Sequence, residues 1–193
     1  MTAGCEMNGT HLLVICHGKT EYHMCRHIKS NLKLRMEVYA NQNGKSSIQI
    51  TSLMNVLNNR IFSSRKRFCD TYNVEYTKGY VPVDFRIYII MDTDDCTQKQ
   101  LDDYKSKRMF AEHWLCDFIV PIFNTQKIED VLKRAGVQYP KDKKDYIKLF
   151  PIQHGGVDYV QVDTLKKQLC KAGTLSNLHE FLQACLEGYK EFS

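Results

Sequence analysis

Two stretches of the chain are apolar at almost every position. Leu12 to Cys16 reads LLVIC, and Phe85 to Met91 reads FRIYIIM. A strand that hides both faces shows no polar alternation, and such strands belong to parallel sheets covered on both sides. EVYA (37 to 40) and DFIVPIF (117 to 123) are shorter strand candidates. The segments between them change to helical spacing. Thr20 is predicted to cap a helix with Cys25, Ile28 and Leu32 on one face. A helix from Ser46 or Ser47 carries Ile50, Leu53, Met54 and Leu57, and the basic stretch near Arg65 also reads as helical. Thr97 and Gln100 have capping-box spacing. Asn124 or Thr125 opens a helix with Ile128, Val131, Leu132 and Ala135 inward, and Gly136 stops it. The last helix begins at Asn177, with Glu180 at capping-box spacing and Leu178, Phe181, Leu182, Cys185, Leu186 and Tyr189 on its apolar face. Strands alternating with helices predict an α/β fold: a mostly parallel sheet flanked by helices on both faces, with a helical C-terminal extension.

Length and composition sharpen this frame. A chain of 193 residues with 43% hydrophobic positions, four prolines and no Gly/Ser linker or internal repeat fits a single domain over 1–193. The α/β core is placed at 10–135 and the mostly helical extension at 136–193. No run reaches the roughly 20 apolar residues of a membrane span. MTAGCEMNGTH at the start has no basic-then-apolar signal pattern, and the eight cysteines are scattered without CxxC pairs. Both features predict a cytoplasmic protein with reduced thiols. A net charge of +5 permits an acidic partner without requiring one. The densest basic runs are RIFSSRKRF (60 to 68) and KDKKDYIK (141 to 148). Phe62, Phe68 and Tyr72 beside the first run could stack on bases, although core packing is the commoner use of such residues.

The chemistry gathers where strands end. In open parallel sheets, ligands collect beyond the carboxyl ends of the strands. His17-Gly18-Lys19-Thr20-Glu21 follows the first apolar run, and Asp92, Asp94 and Asp95 follow the longest one. Three carboxylates within four residues repel unless water or a cation compensates. Oxygen donors alone suit Mg²⁺ or Mn²⁺. The plainer alternative is an acidic helix-capping turn. An EF-hand is excluded, because its glycine and its final glutamate are missing. A Walker loop is excluded as well, since position 13 is Leu where that motif needs Gly. Gly18 allows a tight turn, Lys19 could meet a phosphate, and Glu21 sits where a helix start favours negative charge. His23 and His27 share a helix face. A zinc pair there is conceivable, but no HExxH surrounds them, and a polar helix face is the commoner meaning.

LLVICHGKTE (12 to 21) and IYIIMDTDDC (87 to 96) together resemble the TOPRIM domain, in particular the RloB-like and OLD-type proteins of bacterial defence systems. The family's first motif is an apolar strand followed by Glu-Gly-Lys-Thr/Ser-Glu. Its second is an apolar strand followed by Asp-x-Asp. The resemblance spans roughly residues 10 to 135 and implies a TOPRIM-like core. It further implies Mg²⁺- or Mn²⁺-dependent cleavage of nucleic-acid phosphodiesters, DNA or RNA, in defence against phage or foreign DNA. Asp92, Asp94 and Asp95 would hold metal, Lys19 would steady the scissile phosphate, and Glu129 would be the acidic residue of a later helix. An ATPase or other defence subunit, or a second copy of the chain, would be the partner. The chain departs from the pattern at His17, which stands where the family places a glutamate. Either Glu21 takes over as metal ligand or acid/base with His17 as a further acid/base, or the metal is Mn²⁺-like, or the site has lost nuclease activity and the domain binds nucleic acid or a partner protein. DTDDCT also resembles the start of haloacid-dehalogenase phosphatases, in which Asp92 would be nucleophile and Asp94 acid/base. Cys96 and the mid-chain position depart from that motif.

Overall fold

The two apolar runs become the two central strands of a four-stranded parallel sheet. A computed structural model describes residues 10–137, 159–171 and 173–190. In chain order the elements are β1 (His11–Cys16), α1 (Lys19–Leu32), β2 (Met36–Tyr39), α2 (Leu53–Leu57) and α3 (Arg65–Tyr72). A small antiparallel hairpin follows, β3 (Tyr76–Thr77) with β4 (Val81–Pro82). Then come β5 (Phe85–Asp92), α4 (Gln98–Lys105), β6 (Ile119–Asn124), α5 (Ile128–Arg134), α6 (Tyr159–Cys170) and α7 (Leu178–Lys190).

The sheet order is β2-β1-β5-β6, with all neighbours parallel. β1 is buried at every position, and β5 at every position except Arg86, as expected for strands covered on both faces. Alternate side chains serve two cores. Leu12, Val14, Cys16, Tyr88 and Ile90 pack with α1, α5, α6 and α7. Leu13, Ile15, Ile87, Ile89 and Met91 pack with α2, α3 and α4. Tyr104 of α4 is fully buried, and its hydroxyl lies 2.6 Å from the Ile89 carbonyl and 3.0 Å from that of Ile122. One phenol thus pins α4 under β5 and β6 at once. The helical pair α6–α7 packs on the opposite face, against α1 and β6. Among the described residues, no helix is long and apolar enough to cross a membrane.

Several boundaries differ from the sequence reading, each for a local reason. α1 starts at Lys19 with Gly18 in the cap position, so Thr20 lies inside the first turn. The helix expected from Ser46 or Ser47 is delayed to a 3-10 turn at Ile50–Ser52 followed by α2. Residues 42–44 hold left-handed backbone (φ 48°, 57° and 82°), and the Ile48 N–H donates to the His17 carbonyl at 2.8 Å, which keeps the segment extended. Asn124 ends β6 instead of opening a helix, and Lys127 caps α5. The strand expected from Asp117 begins at Ile119, after a 3-10 turn at Cys116–Phe118. The capping box at Thr97 forms, with Thr97 N–H to Gln100 Oε1 at 2.9 Å and Gln100 N–H to Thr97 Oγ1 at 3.3 Å. Phe62 and Phe68 are fully buried core residues, with Tyr72 packed against both. The basic run 141–148 lies outside the described residues.

Candidate functional site: a carboxylate cleft at the strand ends

β1 lies between β2 and β5. The chain leaves it first toward β2 and later returns to its other side as β5. The crevice at such a reversal opens beyond the carboxyl ends of the strands. A cleft of ≈ 200 Å³ occupies that position. His17, Gly18, Lys19, Thr20 and Glu21 line it from the β1–α1 turn, Ser47 from the loop before α2, Asp92 and Asp94 from the end of β5, and Lys127 and Glu129 from the start of α5.

The β1–α1 turn is held from within and from outside. The Gly18 N–H donates to Glu21 Oε2 at 3.0 Å. Glu21 is only 1% exposed, and its Oε1 has no hydrogen-bond partner among the described residues. Gly44 presses onto the turn. A Cβ at Gly44 would lie 2.7 Å from the Lys19 Cα, and its φ of +82° also excludes most side chains. Tyr22 Oη donates to Asn43 Oδ1 at 3.2 Å and ties the same loop to α1. Lys19 is thereby anchored at its backbone while its side chain stays exposed beside the cleft.

At the end of β5, Asp92 is 4% exposed. Its Oδ1 accepts from Asn124 Nδ2 at 3.2 Å and from the Ile128 N–H at 3.1 Å. Asp94 is exposed, with Lys127 Nζ 3.8 Å away. Glu129 Oε1 accepts from Thr20 Oγ1 at 2.8 Å, so a residue of α1 reaches across to α5. Asp95 lies beside this cleft but does not line it. Both of its carboxylate oxygens are buried without a partner among the described residues, and so is His17 Nδ1. Burial pushes the Asp95 carboxyl up, and the nearby His17 opposes that shift.

These carboxylates compete for charge. Burial, then Glu21, Glu129 and Asp94, push Asp92 up to about 8, against the Asn124 amide that favours its anion. Glu21 is raised as well, by burial first and by Glu129, against His17 and the Gly18 N–H. Near neutrality Asp92 and Glu21 therefore favour sharing a proton between them, and a cation entering the cleft would displace it. The donor set is all oxygen. Among the described residues no three Asp, Glu, His or Cys side chains converge as a ready-made metal cage. Such a set fits an ion that takes one or two carboxylates directly and keeps several waters, as Mg²⁺ does, and not a dry zinc site. His23 and His27 sit half-buried on α1, away from the lining of this cleft.

Ser47, Asn124 and Lys127 join the site without a sequence motif to announce them. Each is brought in by a different element, and only the folded topology shows that they meet. No family model, curated protein or solved structure matches this chain.

Proposed function

We propose that this protein is a cytoplasmic nuclease dependent on a divalent metal, of TOPRIM type, acting on nucleic-acid phosphodiesters. The observation that carries the reading is the convergence of Glu21, Asp92, Asp94 and Glu129 from three elements on one cleft at the strand ends, with Asp92 pushed up to about 8 by burial first and then by its acidic neighbours. Carboxylates crowded this way destabilise the fold unless a cation or proton compensates, and they are worth keeping where a reaction uses them.

Mg²⁺ or Mn²⁺ would be held by one or two of Asp92, Asp94 and Glu21 directly and by the others through water, and would supply charge stabilisation at the phosphoryl oxygens. Lys19 and Lys127, exposed on two sides of the cleft, would bind the phosphate backbone and orient it. His17 stands at the mouth of the turn as acid/base, a role imidazole fills near neutral pH. Glu129, oriented by Thr20, would share proton transfer. Asp95 would act through His17 and not as a cleft-lining ligand. Defence against phage, an ATPase subunit and a second copy of the chain belong to the same proposal through the resemblance of the two motifs. A second reading, a nucleic-acid or protein-binding module without turnover, draws on His17 at the glutamate position.

The test is calorimetry with Mn²⁺ and Mg²⁺ on the wild type and on Asp92→Ala, followed by nicking assays on DNA and RNA with His17→Glu alongside. Binding weakened more than about 100-fold in Asp92→Ala, with metal-dependent nicking by the wild type, is the expected result. Binding without turnover, together with salt-sensitive nucleic-acid affinity, would favour the binding module. Turnover of a phosphate monoester alone would favour the phosphatase. No binding of either ion to the wild type would overturn the metal-dependent reading.

A further inference from the structure

Behind Asp92 runs a buried polar chain whose donors and acceptors can be followed from link to link. It begins at the start of α7. The Leu178 N–H donates to Ser176 Oγ at 3.0 Å. A backbone N–H can only donate, so the Ser176 oxygen accepts there and its own proton goes elsewhere. It goes to Asn124 Oδ1, 2.8 Å away. An amide oxygen can only accept, so the Asn124 NH₂ must face the other way, where Asp92 Oδ1 lies 3.2 Å distant. The Ile128 N–H supplies a second donor to the same Oδ1 at 3.1 Å. Asn124 is fully buried and Ser176 nearly so. The backbone holds the two in register: Asn124 and Ser176 form an antiparallel bridge, and the Thr125 N–H donates to the Leu175 carbonyl at 2.7 Å.

We infer that Asn124 and Ser176 are positioning residues for Asp92, which fix its carboxylate so that Oδ2 is the oxygen offered to the cleft. Two donors occupy Oδ1, whereas Oδ2 accepts no hydrogen bond among the described residues. The helical C-terminal pair is therefore wired into the site. Without Ser176 the Asn124 amide loses the contact that sets its orientation. A flipped amide would turn its oxygen on Asp92 and repel the anion. Outer-shell partners that orient a ligating carboxylate in this way are typically worth 10–100-fold in metal affinity. This inference rests on the metal-dependent reading for its functional meaning, while the orientation of Asn124 can be read without metal.

The test compares Ser176→Ala with Asn177→Ala. Asn177 docks the same segment by other bonds: its side chain accepts from the Phe123 N–H at 2.9 Å and donates to the Pro121 carbonyl at 3.0 Å, and it makes no hydrogen bond to Ser176, Asn124 or Asp92 among the described residues. Three quantities are measured: Mn²⁺ affinity by calorimetry, thermal midpoint, and exchange of the Asn124 side-chain amide protons by ¹⁵N-edited NMR on metal-free protein. In Ser176→Ala we expect Mn²⁺ binding weakened about 10-fold and Asn124 amide exchange accelerated. In Asn177→Ala the midpoint falls, yet Mn²⁺ affinity stays at the wild-type value. Unchanged Mn²⁺ affinity in Ser176→Ala, or equal weakening in Asn177→Ala, would overturn the inference and leave the metal reading standing. If the wild type binds no Mn²⁺, the metal reading falls and the amide signal decides. Slow exchange that Ser176→Ala abolishes upholds the fixed orientation, and fast exchange in the wild type overturns it.

Discussion

At the amino end of β1 the sheet buries His11; at the carboxyl ends of β1 and β5 it buries Glu21 and Asp92. His11 is 4% exposed, as Asp92 is, and meets Phe85 edge-on at 5.8 Å. Burial, helped by Arg35, lowers its pKa to about 4, so at neutral pH it is an uncharged ring among core residues. A single ionisable group can escape the cost of burial by giving up its charge. At the other end the groups have the same sign and act on one another, so discharging one does not discharge all. The isolated histidine is something the fold tolerates. The acidic cluster must be maintained against its own repulsion.

The largest expected effect breaks the acidic end alone. Gly44→Ala places a methyl 2.7 Å from the Lys19 Cα at a left-handed φ, and should cost about 3 kcal/mol in urea denaturation. The His11 imidazole resonances should not move, because the damage stays at the opposite end of β1.

The next prediction sets the two ends against each other through pH, in chelator-treated protein. Asp92 binds its proton more tightly folded (about 8) than unfolded (3.8), so from pH 4 to 8 the native state holds more protons and stability falls as pH rises. His11 binds its proton less tightly folded (about 4) than unfolded (6.5), so over pH 4 to 6.5 its contribution rises with pH. Each slope approaches about 1.4 kcal/mol per pH unit. The two oppose each other below pH 6.5, and only the decline survives above it. Asp92→Asn should make the decline above pH 6.5 shallower, leaving only what the raised Glu21 contributes. His11→Phe should uncover a decline that begins near pH 4. Denaturation midpoints measured across this range for the three proteins would show it. A wild type whose stability still climbs from pH 6.5 to 8 would contradict the assignment of Asp92.

The smallest effect concerns the link between α1 and α5. Thr20→Val keeps the shape but removes the donor to Glu129 Oε1, and should cost about 1 kcal/mol. A double-mutant cycle with Glu129→Gln would show whether that cost belongs to this pair.

The central strands were legible because burial on both faces writes an unbroken apolar run, and LLVIC and FRIYIIM are such runs. The α7 face was legible for the same reason at helical period, and five of its six expected positions are buried. The β3–β4 hairpin left no signal, since two residues per strand cannot establish an alternation. Thr20 has cap chemistry, but Gly18 and the Gly18 N–H to Glu21 bond already close that helix start. Asn124 reads as a helix opener until its tertiary partners Asp92 and Ser176 are known. Of the residues singled out by motif, His17, Lys19, Glu21, Asp92, Asp94 and Glu129 line one cleft, and Asp95 does not. Motif reading selects side chains with chemistry. It cannot supply Ser47 or Lys127, which owe their place to loop path and helix docking.

The bridge between Asn124 and Ser176 also bears on the order of synthesis. A chain emerging from the ribosome presents β1, β2, β5 and β6 before it presents residues 176–178, so the sheet can pair while that segment is still inside the exit tunnel. During that interval the outer edge of β6 lacks its bridge, and Asn124 has no hydroxyl to set its amide. Until Ser176 arrives, nascent chains carry a paired sheet with an unfinished acidic end and an open edge, the state in which pairing with a second nascent chain competes with completion.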